Sequence, residues 1–165
     1  MKTTLVIPTK NEIDGMKEIM PKIKREWIDQ ILIIDGNSTD GTIDYAKENN
    51  YDIMIQKTKG IGNGYREALP LIKGDIIITF SPDGNSVPGK IPEVVEKMKK
   101  GYDLIIVSRY LPGAKSYDDD FFTKIGNKFF TKAINLLFGG NYTDSLVIFR
   151  AYKKSLIEDL RIDAE

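Results

Sequence analysis

Short apolar runs alternate with longer stretches of mixed hydrophobic and polar residues along the whole chain. Thr4-Leu5-Val6-Ile7, Ile31-Leu32-Ile33-Ile34, Ile76-Ile77-Ile78 and Leu104-Ile105-Ile106-Val107 are rich in β-branched residues. They are also too short for buried helices, so they read as strands covered on both faces. The pattern predicts strands over 3–8, 31–35, 52–56, 75–80, 103–107 and 145–149. Helices are predicted over 12–26, 41–49, 62–72, 90–100, 121–138 and 152–160. Such alternation implies an α/β fold, with a mostly parallel sheet and helices on both its faces. No repeat or low-complexity linker interrupts the 165 residues, which suit a single domain over 1–165.

The first strands run into polar residues. Ile31–Ile34 lead to Asp35-Gly36-Asn37-Ser38-Thr39-Asp40-Gly41-Thr42, and Thr4–Ile7 to Pro8-Thr9-Lys10-Asn11-Glu12. In open α/β sheets, ligands bind beyond the carboxyl ends of the strands. Asp35 there is an acceptor-only carboxylate suited to an N–H or hydroxyl of a nucleotide; a surface carboxylate in an Asx-type turn fits the same residues. A third strand delivers Ser81-Pro82-Asp83-Gly84-Asn85, which also reads as a plain Pro-Asp-Gly turn. Gly60-Ile61-Gly62-Asn63-Gly64 precedes a helix and can cradle phosphate with backbone N–H groups. As a dinucleotide fingerprint it is incomplete, because Tyr65 stands where the last glycine belongs.

Composition then removes several chemistries. The chain has no Cys and no His, which excludes disulfides, thiolate zinc sites, cysteine nucleophiles and imidazole bases. Any bound metal must take oxygen ligands, which favours Mg²⁺ or Mn²⁺. Lys plus Arg and Asp plus Glu both total 24, so no global field draws the protein to nucleic acid. No run approaches the ~18 apolar residues of a membrane span. The N-terminus enters a strand without a signal-peptide core, so a cytoplasmic location is expected.

In order and spacing, these motifs resemble family 2 glycosyltransferases of the Rossmann-like GT-A fold. Pro8-Thr9-Lys10-Asn11-Glu12 matches that family's opening Pro-x-x-Asn-Glu, and Asp35 through Thr42 is close to its "DGSTDGT". Gly36 replaces the second of the usual paired Asp residues, and Asn37 stands where Gly is common. Asp83 matches the second Asp of the family's Asp-x-Asp motif, with Pro88 trailing and Ser81 replacing the first Asp. The Gly60 loop is similar to the Gly-Lys-Gly loop, with Arg66 matching the helix Arg and Ile61 at the Lys position. Ser108-Arg109 matches the "GSR" strand end of the polyprenyl-phosphate sugar transferases, with Val107 for Gly. Gly126-Asn127-Lys128, Asn135, Asp144 and Phe149-Arg150 follow the same enzymes, although Leu146, Val147 and Ile148 replace small residues.

The resemblance implies a nucleotide-diphospho sugar donor bound by Pro8, Thr9, Asn11, Glu12, Asp35, Gly60, Arg66 and Asp83. It implies Mg²⁺ or Mn²⁺ on Asp83, with Asn85 adding a carbonyl oxygen. Asp83 and Arg109 are the expected catalytic residues. Arg109, Lys124, Lys128 and Arg150 are expected to grip the phosphate of a polyprenyl-phosphate acceptor. An ionised phosphate needs no imidazole base, which agrees with the His-free composition. Transfer to a hydroxyl acceptor, or a catalytically weak nucleotide-binding domain, are the alternatives. Lys124, Lys128 and Lys132 share a helix face. The stripe Phe122, Ile125, Phe129, Ala133, Leu136 and Leu137 fits either ordinary core or a peripheral site on the cytoplasmic membrane surface. The loop from Leu111 to Asp120, with its run of three Asp residues, is expected to be mobile and its acids solvated. Relatives commonly continue past Arg150-Ala151-Tyr152, which leaves open a domain truncated at its C-terminus; the oligomeric state is unspecified.

Overall fold

The computed structural model describes residues 1–111 and 121–161, so the acidic run after Leu111 lies outside the described residues. Six strands form one sheet: β1 (Thr3–Thr9), β2 (Gln30–Asp35), β3 (Asp52–Ile55), β4 (Ile76–Thr79), β5 (Leu104–Ile106) and β6 (Arg150–Lys153). Their order is β3-β2-β1-β4-β6-β5, with β1 to β4 parallel and β6 antiparallel to both neighbours. The chain fills one side of β1 first and then crosses to β4, so the topological switch point lies between β1 and β4.

Alternate side chains of the central strands feed two cores. Leu5, Ile7, Ile31, Ile33, Ile76 and Ile78 pack with Met16 and Ile19 of α1 (Ile13–Ile19), Ala46 of α2 (Thr42–Glu48), and Val94, Val95 and Met98 of α4 (Ile91–Lys99). Val6, Leu32, Ile34 and Ile77 face the other way, onto Ala68 of α3 (Ile61–Ala68) and Ile157 of α6 (Ser155–Asp159). Both faces are therefore covered, which is why the strands read as continuous apolar runs. A Cβ at Gly15 would lie 2.4 Å from the Pro82 carbonyl oxygen. Glycine there lets the start of α1 rest against the turn after β4.

Three expected elements end differently, each for a local reason. The helix expected over 12–26 stops at Ile19, and that over 62–72 at Ala68. In both, a proline (Pro21, Pro70) begins a 3₁₀ turn, because it lacks the N–H that would continue the helix. The strand expected over 145–149 is instead β6 at Arg150–Lys153. Arg150 pairs antiparallel with Thr79, the last residue of β4. Residues before Arg150 therefore lie past the end of β4, beginning with Phe149 beside Phe80. The apolar residues there pack instead of extending the β4 ladder: Phe149 meets Phe80 edge-to-face at 5.2 Å, while its carbonyl accepts from Val107 N at 3.0 Å. The helix expected over 152–160 shortens to α6 accordingly.

Candidate functional site

The carboxyl ends of β1, β2 and β4 meet on one edge of the sheet, where a cavity of about 400 Å³ opens. Pro8, Thr9, Ile34 and Gly36 form its floor, Ser81 and Ile148 one wall, and the 56–61 loop the other. Lys10, Lys57 and Lys59 line it, and none of the lining residues is acidic. It is a cationic pocket at the switch point, the place where such sheets bind ligands.

The loops around it are fixed by polar side chains. Asn11, with a left-handed φ of 56°, accepts from Thr39 N at 2.9 Å, while its own N–H donates to Ser38 Oγ at 2.8 Å. Glu12 N donates to Thr42 Oγ1, and Ile13 N to Asp40 Oδ2. The Pro-x-x-Asn-Glu and Asp-rich segments thus lace the two strand ends together. The 56–61 wall is shaped by Gln56, whose amide donates to the Thr58 and Gly60 carbonyls. Glu67 accepts from Lys57 N and Thr58 N, both at 2.8 Å.

Against that geometry, the expected donor residues divide. Pro8, Thr9 and Gly60 line the cavity. Asp35 does not: it is fully buried, accepting from Thr9 Oγ1 at 2.8 Å and from Ser38 N and Oγ at 2.7 Å. In this arrangement its carboxylate fixes Thr9 and the Ser38 turn at the edge of the cavity. Asn11 is likewise engaged in lacing. Gly36 and Asn37, beside Asp35, present the β2 end to the cavity. Arg66 bonds Asn63 Oδ1 and lines a neighbouring groove between α3 and α6. Lys10, Gln56 and Lys57 line the cavity beyond the expected set; the sequence signal for Lys10 is its place directly after Pro8-Thr9 at a strand end.

Asp83 is exposed in the turn after β4, with Asn85 N donating to its Oδ1 at 3.0 Å. Glu12, partly buried at the start of α1, faces it. Burial, then the negative charges of Asp83 and Asp40, push the Glu12 carboxyl above its usual range. Among the described residues no group of three His, Cys, Asp or Glu side chains could enclose a metal. The donors present are all oxygen, in a place where a cation would relieve carboxylate repulsion. That fits Mg²⁺ or Mn²⁺ completed by diphosphate oxygens and water.

β5 is antiparallel to β6, as β4 is, so Arg109 emerges on the same sheet edge as Ser81 and Asp83. Its guanidinium is gripped by Asp144, Nε at 2.8 Å from Oδ2 and Nη2 at 3.1 Å from Oδ1. Arg150 lies elsewhere. It donates to the Val147 and Ser145 carbonyls and shares with Arg66 the groove bordered by Tyr65 and Tyr152. Arg109 is not among the residues lining that groove.

The long helix α5 (Phe121–Phe138) carries Lys124 and Lys128, both exposed. Its packed side is polar: Asn127 and Thr131 are buried, and Asn135 bonds Tyr142 twice at 2.8 Å. Its outer side is apolar, with Phe129 70%, Leu136 83%, Leu137 73% and Phe138 79% exposed. Among the described residues no helix is long and apolar enough to cross a membrane.

The model of the family described as "Glycosyl transferase family 2" matches residues 4–161. The chain belongs to that family. It is a family 2 glycosyltransferase chain of the GT-A fold. Glycosyltransferase AglJ of Haloferax volcanii is 25% identical over 165 residues, covering 98% of this chain and 53% of that one. The dolichol-phosphate mannosyltransferase of Pyrococcus furiosus is 29% identical over 136 residues, covering 78% of this chain and 39% of its own. The chain thus spans about half or less of the length of these two relatives. Glucosyl-3-phosphoglycerate synthase from Mycobacterium tuberculosis, solved with Mn²⁺, UDP and glucosyl-3-phosphoglycerate, superposes with a TM-score of 0.76. The match is 17% identical over 94% of this chain and 58% of that one, a likeness of fold.

Proposed function

We propose that this chain binds a nucleotide-diphospho sugar in the switch-point cavity and transfers the sugar, with inversion, to a polyprenyl phosphate. The observation that carries the donor half is the cavity itself: three lysines and no carboxylate among its lining residues. Such a pocket suits a diphosphate, whose charge an acidic lining would repel and a neutral one leave unpaired. The 400 Å³ available accommodates a nucleoside and its phosphates. Mg²⁺ or Mn²⁺ on Asp83, with Glu12 and Asn85 as neighbours, would neutralise charge growing on the leaving diphosphate.

The chain's residues supply the rest. Pro8, Thr9, Gly36 and Asn37 form the floor for the base and ribose. Lys10, Lys57 and Lys59 hold the phosphates and keep the leaving group charged but bound. Arg109, oriented on the same edge, presents the acceptor phosphate. One acceptor oxygen attacks the anomeric carbon from the face opposite the diphosphate; the sugar–phosphate bond of the donor breaks, and the nucleoside diphosphate leaves. No proton must be removed from an ionised phosphate acceptor, so positioning carries the step.

The lipid half rests on α5, whose exposed apolar side and flanking Lys124, Lys128 and Lys132 suit an anionic membrane surface. Relatives that include a dolichol-phosphate mannosyltransferase support it. The test is transfer of radiolabel from a panel of nucleotide sugars to a short polyprenyl phosphate with Mn²⁺. Label in an organic-extractable, acid-labile product is expected. Label appearing only in water-soluble hydroxyl acceptors would overturn the lipid assignment, and none anywhere would overturn the transferase reading of this chain.

A further inference from the structure

Asp144 is fully buried, yet it has no role in any step above. Its carboxylate gathers donors from three separate segments. Arg109 gives Nε, Nη2 and its backbone N, at 2.8, 3.1 and 3.1 Å. Asn127 of α5 gives Nδ2 at 2.7 Å, and Leu146 its N–H at 3.4 Å. A second tier fixes the first: Thr131 Oγ1 donates to Asn127 Oδ1 at 3.0 Å and accepts from Ser145 N at 3.1 Å.

We propose that Asp144 is a positioning residue that presets the Arg109 guanidinium for the acceptor phosphate; this deepens the lipid-phosphate reading and rests on it. A surface arginine samples many rotamers, and its fork meets a phosphate at many angles. Here the Nε/Nη2 edge is docked on a carboxylate that also holds the arginine's own backbone N–H. The side chain is consequently fixed at both ends, and only 15% of it is exposed. Fixed geometry matters most in the transition state, where the attacking oxygen must line up with the breaking bond. The pair is also neutral as a unit. Binding of the phosphate is therefore not what Asp144 strengthens; its charge opposes the anion while its geometry aligns it.

That opposition gives a distinctive signature. Asp144→Asn keeps the volume, removes the charge and turns an amide donor toward Arg109 or Asn127. The arginine is released with its full charge. The acceptor KM is then expected to stay level or fall, while kcat falls by about tenfold or more. Asn127→Ala removes one bond to the same carboxylate and loosens α5 but leaves the arginine pair, so kcat is expected to stay within about threefold.

The experiment measures transfer from saturating labelled donor to a titrated polyprenyl phosphate in detergent. It compares the wild type with Asp144→Asn, Asn127→Ala and Arg109→Ala, with Tm and nucleoside-diphosphate affinity followed in parallel. The result expected is a kcat loss in Asp144→Asn and Arg109→Ala but not in Asn127→Ala, an acceptor KM rise confined to Arg109→Ala, and unchanged donor affinity throughout. If kcat of Asp144→Asn and Asn127→Ala fall together in step with Tm, Asp144 is merely structural and the proposal is overturned. An acceptor KM that rises in Asp144→Asn with kcat intact overturns it too. Should Asp144→Asn not fold, Asp144→Glu keeps the charge and shifts the fork by a methylene; wild-type kcat in that variant is the overturning result. A wild type that transfers nothing to polyprenyl phosphate sinks the lipid-acceptor reading, whereas a competent wild type matched by its Asp144 variants sinks the positioning role alone.

Discussion

Asp35 and Asp83 stand at equivalent strand ends, and their surroundings give them opposite duties. Asp35 is buried, its oxygens accepting from Thr9 and Ser38; Asp83 is open to solvent beside Glu12. Replacing Asp35 by Ala would leave Thr9 Oγ1 and Ser38 N without their acceptor inside the fold. The cost is expected to be about 3 kcal/mol, from about 1–3 kcal/mol per unsatisfied buried group. Thermal unfolding should show a Tm lower by ~6–12 °C. The lysines should behave differently, since they are exposed and touch nothing needed for folding. Lys57→Ala with Lys59→Ala should leave Tm nearly unchanged and weaken nucleoside-diphosphate binding by about tenfold or more, read by calorimetry. Binding of the bare nucleoside should not change. Equal losses for nucleoside and diphosphate would show that the lysines do not hold phosphate.

At the scale of elements, α5 inverts the usual amphipathic rule: its polar side is packed and its apolar side faces out. Exposed apolar side chains add little to stability, so Phe129→Gln with Leu136→Gln and Leu137→Gln should alter stability by less than about 1 kcal/mol. The same triple variant should lose cosedimentation with anionic vesicles. Retained cosedimentation would show that this side does not meet the membrane. The sequence pattern alone left α5 undecided, because periodicity shows that a stripe exists and not which side of it the fold covers. The covering depends on Asp144 and Ser145, distant in sequence, which hold Asn127 and Thr131 respectively. The β-strands were far more legible, since four consecutive β-branched or aliphatic residues have few other homes. The helical periodicity runs on past Pro21 and Pro70, whereas the helices themselves end before them. β6 was misplaced because the end of β4, and not the apolar run 146–149, decides where pairing starts. The donor cavity was half legible: glycines and prolines at strand ends announced it, but its lysines are phased by Gln56 and Glu67, contacts no local pattern displays.

Across the whole molecule, one segment joins the Arg109 cluster to the switch-point cavity. Asp144 sits under Arg109, and Ile148 four residues on forms a wall of the donor cavity. The carboxylates on this edge couple that arrangement to pH in opposite senses. Burial works to raise the Asp144 carboxyl, but hydrogen bonds from Arg109 and Asn127 outweigh it and hold it below its ordinary range. A carboxylate depressed in this way stabilises the fold above its unfolded pKa, and the benefit fades as pH falls through the lower folded value. Glu12 is raised, so its contribution is present in acid and is lost as pH climbs through its folded pKa. A divalent cation with a nucleoside diphosphate beside Asp83 reverses the Glu12 penalty, because the cation favours the charged carboxylate. Ligand at ~100 times its dissociation constant should stabilise by about 2.7 kcal/mol. The rise in Tm on adding Mn²⁺ and nucleoside diphosphate should therefore be larger at pH 7.5 than at pH 5 (about one unit above the carboxylate reference range). Glu12→Gln should flatten that difference, and Asp83→Ala should abolish the part that needs metal. A metal-independent shift that survives Asp83→Ala would remove the cation from this site and leave the lysines to carry the diphosphate alone.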